Sequence, residues 1–271
     1  MLDIRKCPTL VINLDRRPDR WNEFKQQFTL KEFKYLERFP AIDGSKIDTH
    51  NDTRISPHTR MNIAKKYRRS DYEINTPGAI GASLSHASCW KHLLDSKYEY
   101  LVVFEDDTLV TKEYLQKIDN LIPTLPEWDM WLLGTHSWGL QGLPLSKDQK
   151  GWWKVISFTG AHAYVLNRRG AEILLKEVFP IETHIEYYIS ACSVLKGLRL
   201  ISHSDLRMKY SMELTSSSDS DTFDSYKSCP VCIVPDNFLN TGLYLSSGTL
   251  ERAVISISAL LIIAYGFYLR R

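Results

Sequence analysis

The sequence has no excess of charge of either sign. Its 34 Lys and Arg stand against 32 Asp and Glu, a formal net charge of +2 over 271 residues. That balance excludes recognition of nucleic acid by bulk electrostatics. Cysteine is sparse and odd in number: Cys7, Cys89, Cys192, Cys229 and Cys232. Their scattered spacing excludes a secreted disulfide framework and points to a reducing compartment. Cys229-Pro230-Val231-Cys232 is a lone CxxC, with no second Cys or His pair at the spacing a zinc site needs. No Gly-rich loop follows the first apolar stretch, which weighs against a dinucleotide enzyme or a methyltransferase. No signal peptide opens the chain, because residues 1–6 are charged and the apolar run at 9–14 is too short. No internal repeat is present.

What remains is globular composition, 44% hydrophobic and 24% charged. The 7 Trp and 14 Tyr are numerous. Such rings fill cores and also pack against the C–H face of a pyranose. Residues 8–14 and 100–104 read as buried strands, and residues 33–42 as a further extended stretch closed by the turn Asp43-Gly44. Shorter strands are expected at 129–134, 155–158, 161–166 and 198–202, with a Gly-rich loop between the first two. Helices are expected from Arg17-Pro18, from Thr76-Pro77-Gly78, at 168–178 and at 183–196. Residues 45–75 are polar and basic and read as loop with short helix. Strands alternating with helices predict an α/β sheet with helices on both faces, and a ligand beyond the carboxyl ends of its strands.

The acidic run Glu105-Asp106-Asp107 follows the apolar strand directly. Three adjacent carboxylates repel one another, and a divalent Mg²⁺ or Mn²⁺ relieves that repulsion. Strand alternation points Glu105 and Asp107 the same way and Asp106 the other. Glu105 and Asp107 are therefore the expected metal pair, with Asp106 turned aside or serving a ribose. A metal there would act as a Lewis acid on a departing diphosphate.

Four segments in order resemble glycosyltransferase family 25, the family of lipooligosaccharide and collagen galactosyltransferases. They are Asn13-Leu14-Asp15-Arg16-Arg17-Pro18-Asp19-Arg20, Gly78-Ala79-Ile80-Gly81-Ala82-Ser83-Leu84-Ser85-His86, Phe104-Glu105-Asp106-Asp107 with the strand before it, and Gly160-Ala161-His162-Ala163-Tyr164 with Gly170-Ala171 after it. The resemblance spans residues 10–220. It implies a GT-A fold, a Rossmann-type mixed sheet, and inverting transfer of a hexose, often galactose, from a UDP-sugar with Mn²⁺. It also implies that Asn13, Arg17 and Arg20 lie near the nucleotide, with an arginine fork on phosphate. Asp43 and Gly44 then match a turn near the donor. Ser85 and His86 match a Ser-His pair, the histidine donating to the diphosphate or shaping the pocket. Inversion needs a general base; Glu186 is the best-placed match and Glu182 the runner-up. Ala79 stands where the family often carries Glu, and the later Ser-Asp-Ile of the family is only loosely echoed at Ser218-Asp219 or Ser220-Asp221.

The expected function is thus an inverting, metal-dependent glycosyltransferase acting on a hydroxyl of a glycan or protein. The alternative is a catalytically silent family member acting as a membrane-anchored binding module. The catalytic domain is expected over 1–235, followed by a linker at 236–252 and a transmembrane tail anchor at 253–269. The last segment is free of charge and, as a helix, spans about 26 Å against a hydrocarbon core of roughly 30 Å. An anchor of this kind with no leader places the catalytic domain in the cytosol, whereas Arg270-Arg271 argues for the opposite sidedness.

Overall fold

The computed structural model of the protein describes residues 2–135, 140–206 and 222. The expected linker and anchor, the CxxC and the two Ser-Asp pairs lie outside the described residues. Among the described residues, no helix is long and apolar enough to cross a membrane.

The apolar runs become strands of one mixed sheet. They are β1 (Pro8–Asn13), β2 (Tyr35–Pro40), β3 (Tyr100–Glu105), β4 (Met130–Gly134), β5 (Gln141–Pro144), β6 (Trp152–Ser157), β7 (Ala163–Asn167) and β8 (Leu200–His203). Their order across the sheet is β2-β1-β3-β7-β4-β8-β6-β5. β1 lies parallel to both β2 and β3, whereas β7 runs antiparallel between β3 and β4. The register sets Phe104 opposite Ala163, so the residue before Ala163 falls beside the end of β3.

Six helices cover the sheet among the described residues: α1 (Pro18–Lys25), α2 (Pro57–Lys65), α3 (Pro77–Asp95), α4 (Lys112–Leu121), α5 (Arg168–Lys176) and α6 (Ile185–Leu195). Strand alternation sends apolar side chains to both faces. Leu10, Leu101, Val103, Leu132 and Tyr164 meet Trp90 and Leu93 of α3, Leu174 of α5 and Ile189 of α6. Val11, Val102, Phe104, Trp131 and Val165 meet Phe24 of α1 and Leu115 and Ile118 of α4 on the other side. Burying one such side chain is worth about 1.5–3 kcal/mol. The result is the expected sheet with helices on both faces, consistent with a Rossmann-like fold.

Two elements depart from the sequence reading. α4 was not expected, yet Thr111 caps it by accepting from the Tyr114 N–H, and Tyr114, Leu115, Ile118 and Leu121 bury one face. β5 replaces part of the expected Gly-rich loop and pairs antiparallel with β6 at the sheet edge. The polar stretch 45–75 holds α2 as its short helix. Ile55 and Ile74 from that stretch pack with Ile80 and Leu84 of α3 and with Ile181.

Candidate functional site

β1 and β3 are parallel neighbours, so their carboxyl ends open on the same side of the sheet. Asn13 ends one and Glu105 ends the other. Beyond Glu105 the chain turns, and the three acids separate.

Glu105 turns toward α3 and β7. Its Oε1 lies 3.2 Å from His86 Nε2 and its Oε2 lies 3.2 Å from His162 Nδ1. The His86 tautomer follows from its partners. Trp90 Nε1 can only donate, and it donates to the Tyr164 hydroxyl at 3.0 Å. That hydroxyl sits 3.0 Å from His86 Nδ1. The ionised Glu105 carboxylate can only accept, so Nε2–H donates to it, and Nδ1 accepts the tyrosine proton while the hydroxyl oxygen accepts from Trp90. Burial opposes the charged Glu105 carboxylate, but hydrogen bonds and charge from His162 and His86 outweigh it and hold its pKa well below the usual range.

Asp107 lies on the same side as Glu105. Its Oδ1 is 3.8 Å from His162 Nδ1, is buried, and has no hydrogen-bond partner. Burial, and then the Glu105 charge, raise its pKa. Glu105, Asp107 and His162 each present one ligand atom, all within 4.8 Å of one another. A buried carboxylate oxygen without a donor is what a cation would satisfy, and carboxylates and imidazole are both ligands of divalent metals. This donor set fits a divalent metal. Without one, His162 carries compensating charge: burial disfavours its charged form, yet Glu105 and the other acids raise its pKa to about 9.

Asp106 turns the opposite way. Asn13 Nδ2 donates to it at 2.6 Å and Arg20 Nη1 at 3.2 Å. Burial dominates over these partners, and its pKa rises to about 6. Asn13 is itself fixed, because Arg38 Nε donates to its Oδ1 at 2.7 Å. Asn13 and Arg20 thus brace the back of the acidic run. Arg17 forks onto Asp19 at the surface.

The glycine-serine stretch of α3 serves packing. A Cβ on Gly81 would stand 2.4 Å from the Ile42 carbonyl oxygen, and one on Gly44 would stand 1.9 Å from that of Pro77. The loop at 41–44 therefore lies backbone to backbone on α3. Ser85 locks it there, accepting from the Ile42 N–H at 2.8 Å and donating to the Gly81 carbonyl at 2.7 Å. Asp43 accepts from Ser45 N–H and from Arg16, closing the next turn. Gly44, Ser85 and Asp43 hold this loop, and His86 on the adjacent turn position reaches Glu105.

Glu186 stands in the first turn of α6. Burial raises its pKa, with Glu105 adding to the effect and His86 and His162 opposing it, so it shares the field of the acid–histidine cluster. Glu182 is exposed. The structure brings Glu105, Asp107 and His86 together, leaves Glu186 within electrostatic reach of them, and sets Asn13, Arg20 and Asp106 behind them. It leaves Arg17, Asp43, Gly44 and Ser85 with partners of their own. His162 is the cluster member the sequence reading did not single out, although it lies within the quoted Gly160–Tyr164 motif. Only the pairing of β3 with β7 brings it beside Glu105, its carbonyl accepting from the Glu105 N–H at 2.8 Å.

Comparison with known proteins gives this geometry a context. The family model described as "Glycosyltransferase family 25 (LPS biosynthesis protein)" matches residues 6–139. Procollagen galactosyltransferase 2 of Homo sapiens is 27% identical over 128 residues, 46% of this chain and 20% of that protein. Procollagen lysyl hydroxylase and glycosyltransferase of Acanthamoeba polyphaga mimivirus is 29% identical over 122 residues, 40% of this chain and 13% of that protein. Inactive glycosyltransferase 25 family member 3 of Mus musculus is 26% identical over 178 residues, 61% of this chain and 28% of that protein. The matches thus span between 13% and 28% of the length of these relatives.

Proposed function

From the premise that residues 6–139 carry a glycosyltransferase family 25 domain, we propose that this protein is an inverting, metal-dependent transferase of GT-A type. It moves a hexose, galactose in the first instance, from a UDP-sugar to a hydroxyl of a glycan or protein. The observation that carries the reading is the convergence of Glu105, Asp107 and His162 on one point beyond the β3 carboxyl end. Mn²⁺ or Mg²⁺ held by these three would supply Lewis-acid stabilisation of the departing diphosphate. The chain's own residues do the rest. His86 orients Glu105 through its Nε2–H. Asn13 and Arg20 restrain Asp106 and so fix the turn that carries Asp107. Glu186, whose raised pKa suits a base, takes the acceptor hydroxyl proton as the acceptor oxygen bonds to the anomeric carbon. The bond from that carbon to the diphosphate oxygen breaks, and UDP leaves.

Asp107→Asn tests the assignment. Metal-dependent hydrolysis of UDP-galactose is expected to fall at least a hundredfold, with the thermal midpoint unchanged or raised because a buried charge is removed. Full activity in this variant sinks the metal assignment.

A second reading is favoured by one observation, the match to an inactive family member over 61% of the chain. In that reading the protein binds a nucleotide sugar without turnover. It predicts UDP binding by calorimetry with no galactose released. The charge-free segment 253–269 supports a membrane tether for either reading.

A further inference from the structure

Two of the exposed aromatic side chains, Tyr67 and Tyr72, stand in the stretch before α3. Tyr67 is 39% exposed and Tyr72 is 47% exposed, and both lie within electrostatic reach of the Arg69 guanidinium. Tyr72 also meets Tyr187 edge to face, with ring centroids 6.2 Å apart at 74°. Tyr187 directly follows Glu186, the proposed base, in the first turn of α6. The loop bearing Tyr72 is stapled to that helix. The Tyr72 carbonyl accepts from Thr183 Oγ1 at 2.6 Å and from His184 N–H at 3.2 Å. Glu73 bridges to Thr183 and is clamped by Arg69, whose Nη2 lies 2.6 Å from it. Tyr72, exposed yet held in place through its backbone, belongs to none of the apolar cores, and Tyr187 beside it is half-buried.

We propose that Tyr72 and Tyr187, with Arg69 beside them, form the acceptor subsite, and that the acceptor is a pyranoside. The inference rests on the transferase reading above, because Glu186 gives the subsite its meaning. A tyrosine face packs against the axial C–H groups of a sugar ring, and Arg69, whose Nε and Nη2 are held by Glu73, adds a positive charge beside the rings. One way of holding an extended peptide is strand addition to a sheet edge. Among the described residues the sheet edges are β2 and β5, whereas the tyrosines stand on a loop and a helix. The geometry therefore favours a sugar over a peptide.

Saturation-transfer NMR on the full chain tests this without turnover. The probes are methyl β-galactoside, methyl α-mannoside and a collagen-like peptide. At least one pyranoside is expected to receive saturation in the wild type. The signal should fall at least fivefold in Tyr72→Ala and return in Tyr72→Trp. Tyr187→Ala serves as the second variant should Tyr72→Ala fail to fold. In transfer assays the acceptor KM should rise at least tenfold while the donor KM moves less than twofold. No pyranoside signal, equal signals in wild type and Tyr72→Ala, or a peptide signal alone that Tyr72→Ala removes would each overturn the subsite. Absence of UDP-galactose turnover alongside tyrosine-dependent pyranoside binding would instead sink the transferase reading and leave the subsite standing.

Discussion

As the proposed base, Glu186 has to do two things at neutral pH: ionise, and still want a proton. Burial raises its pKa above the usual carboxylate range and the Glu105 charge adds to this, whereas His86 and His162 keep the anion tolerable. A base works only when deprotonated, so kcat should be lost as pH falls through this raised pKa. The acid limb of the pH–rate profile is therefore expected at higher pH than an ordinary glutamate gives. Glu186→Gln should lower kcat roughly 10²–10⁴-fold and abolish that limb. An unchanged profile in Glu186→Gln moves the base elsewhere. At this scale the acids were legible from the sequence, since three carboxylates after an apolar strand have few other physical reasons to be there. His162 was not. Its place depends on β7 pairing with β3 across 57 residues of chain, and nothing local in the sequence encodes that pairing.

The elements show the same division. The stripe of Ile80, Leu84, Ala87 and Trp90 announced α3, and the apolar runs announced β1, β3 and β4, because burial and periodicity are local properties. α4 was missed because its apolar face is only four residues. β5 was missed because Gln141–Pro144 is largely exposed, with a glycine and a proline, and gains its conformation from β6. The loop docked on α3 was legible only as a turn, while the close approach at Gly81 needs the fold. Gly81→Ala makes that approach measurable. Alanine favours a helix by about 0.5–1 kcal/mol over glycine. Its Cβ, however, would stand 2.4 Å from the Ile42 carbonyl oxygen and 2.7 Å from Gly44 N, both backbone. Overpacking of this kind costs about 1–3 kcal/mol, so the denaturant midpoint should fall. A higher midpoint would show that the loop gives way freely.

Across the whole molecule, two apolar cores on opposite faces of the sheet hold the carboxyl ends of β1 and β3 in fixed relation. The site is assembled there from β1, β3, α3, α6 and the segment leading into β7. That division of labour lets α3 and α6 contribute His86 and Glu186 from one face while α1 contributes Arg20 from the other. The match to family 25 covers residues 6–139, which includes the acids and His86 and stops short of His162 and Glu186. The proposed metal pair thus draws on geometry and on the family match, and the proposed base on the sequence resemblance and on its place in the field of the cluster. The most direct test of the central claim is UDP-galactose hydrolysis by the full chain, stripped of metal with EDTA and then titrated with Mn²⁺. The account predicts no galactose release before Mn²⁺ is added and saturable release after it. Release at the same rate in the presence of EDTA would contradict it.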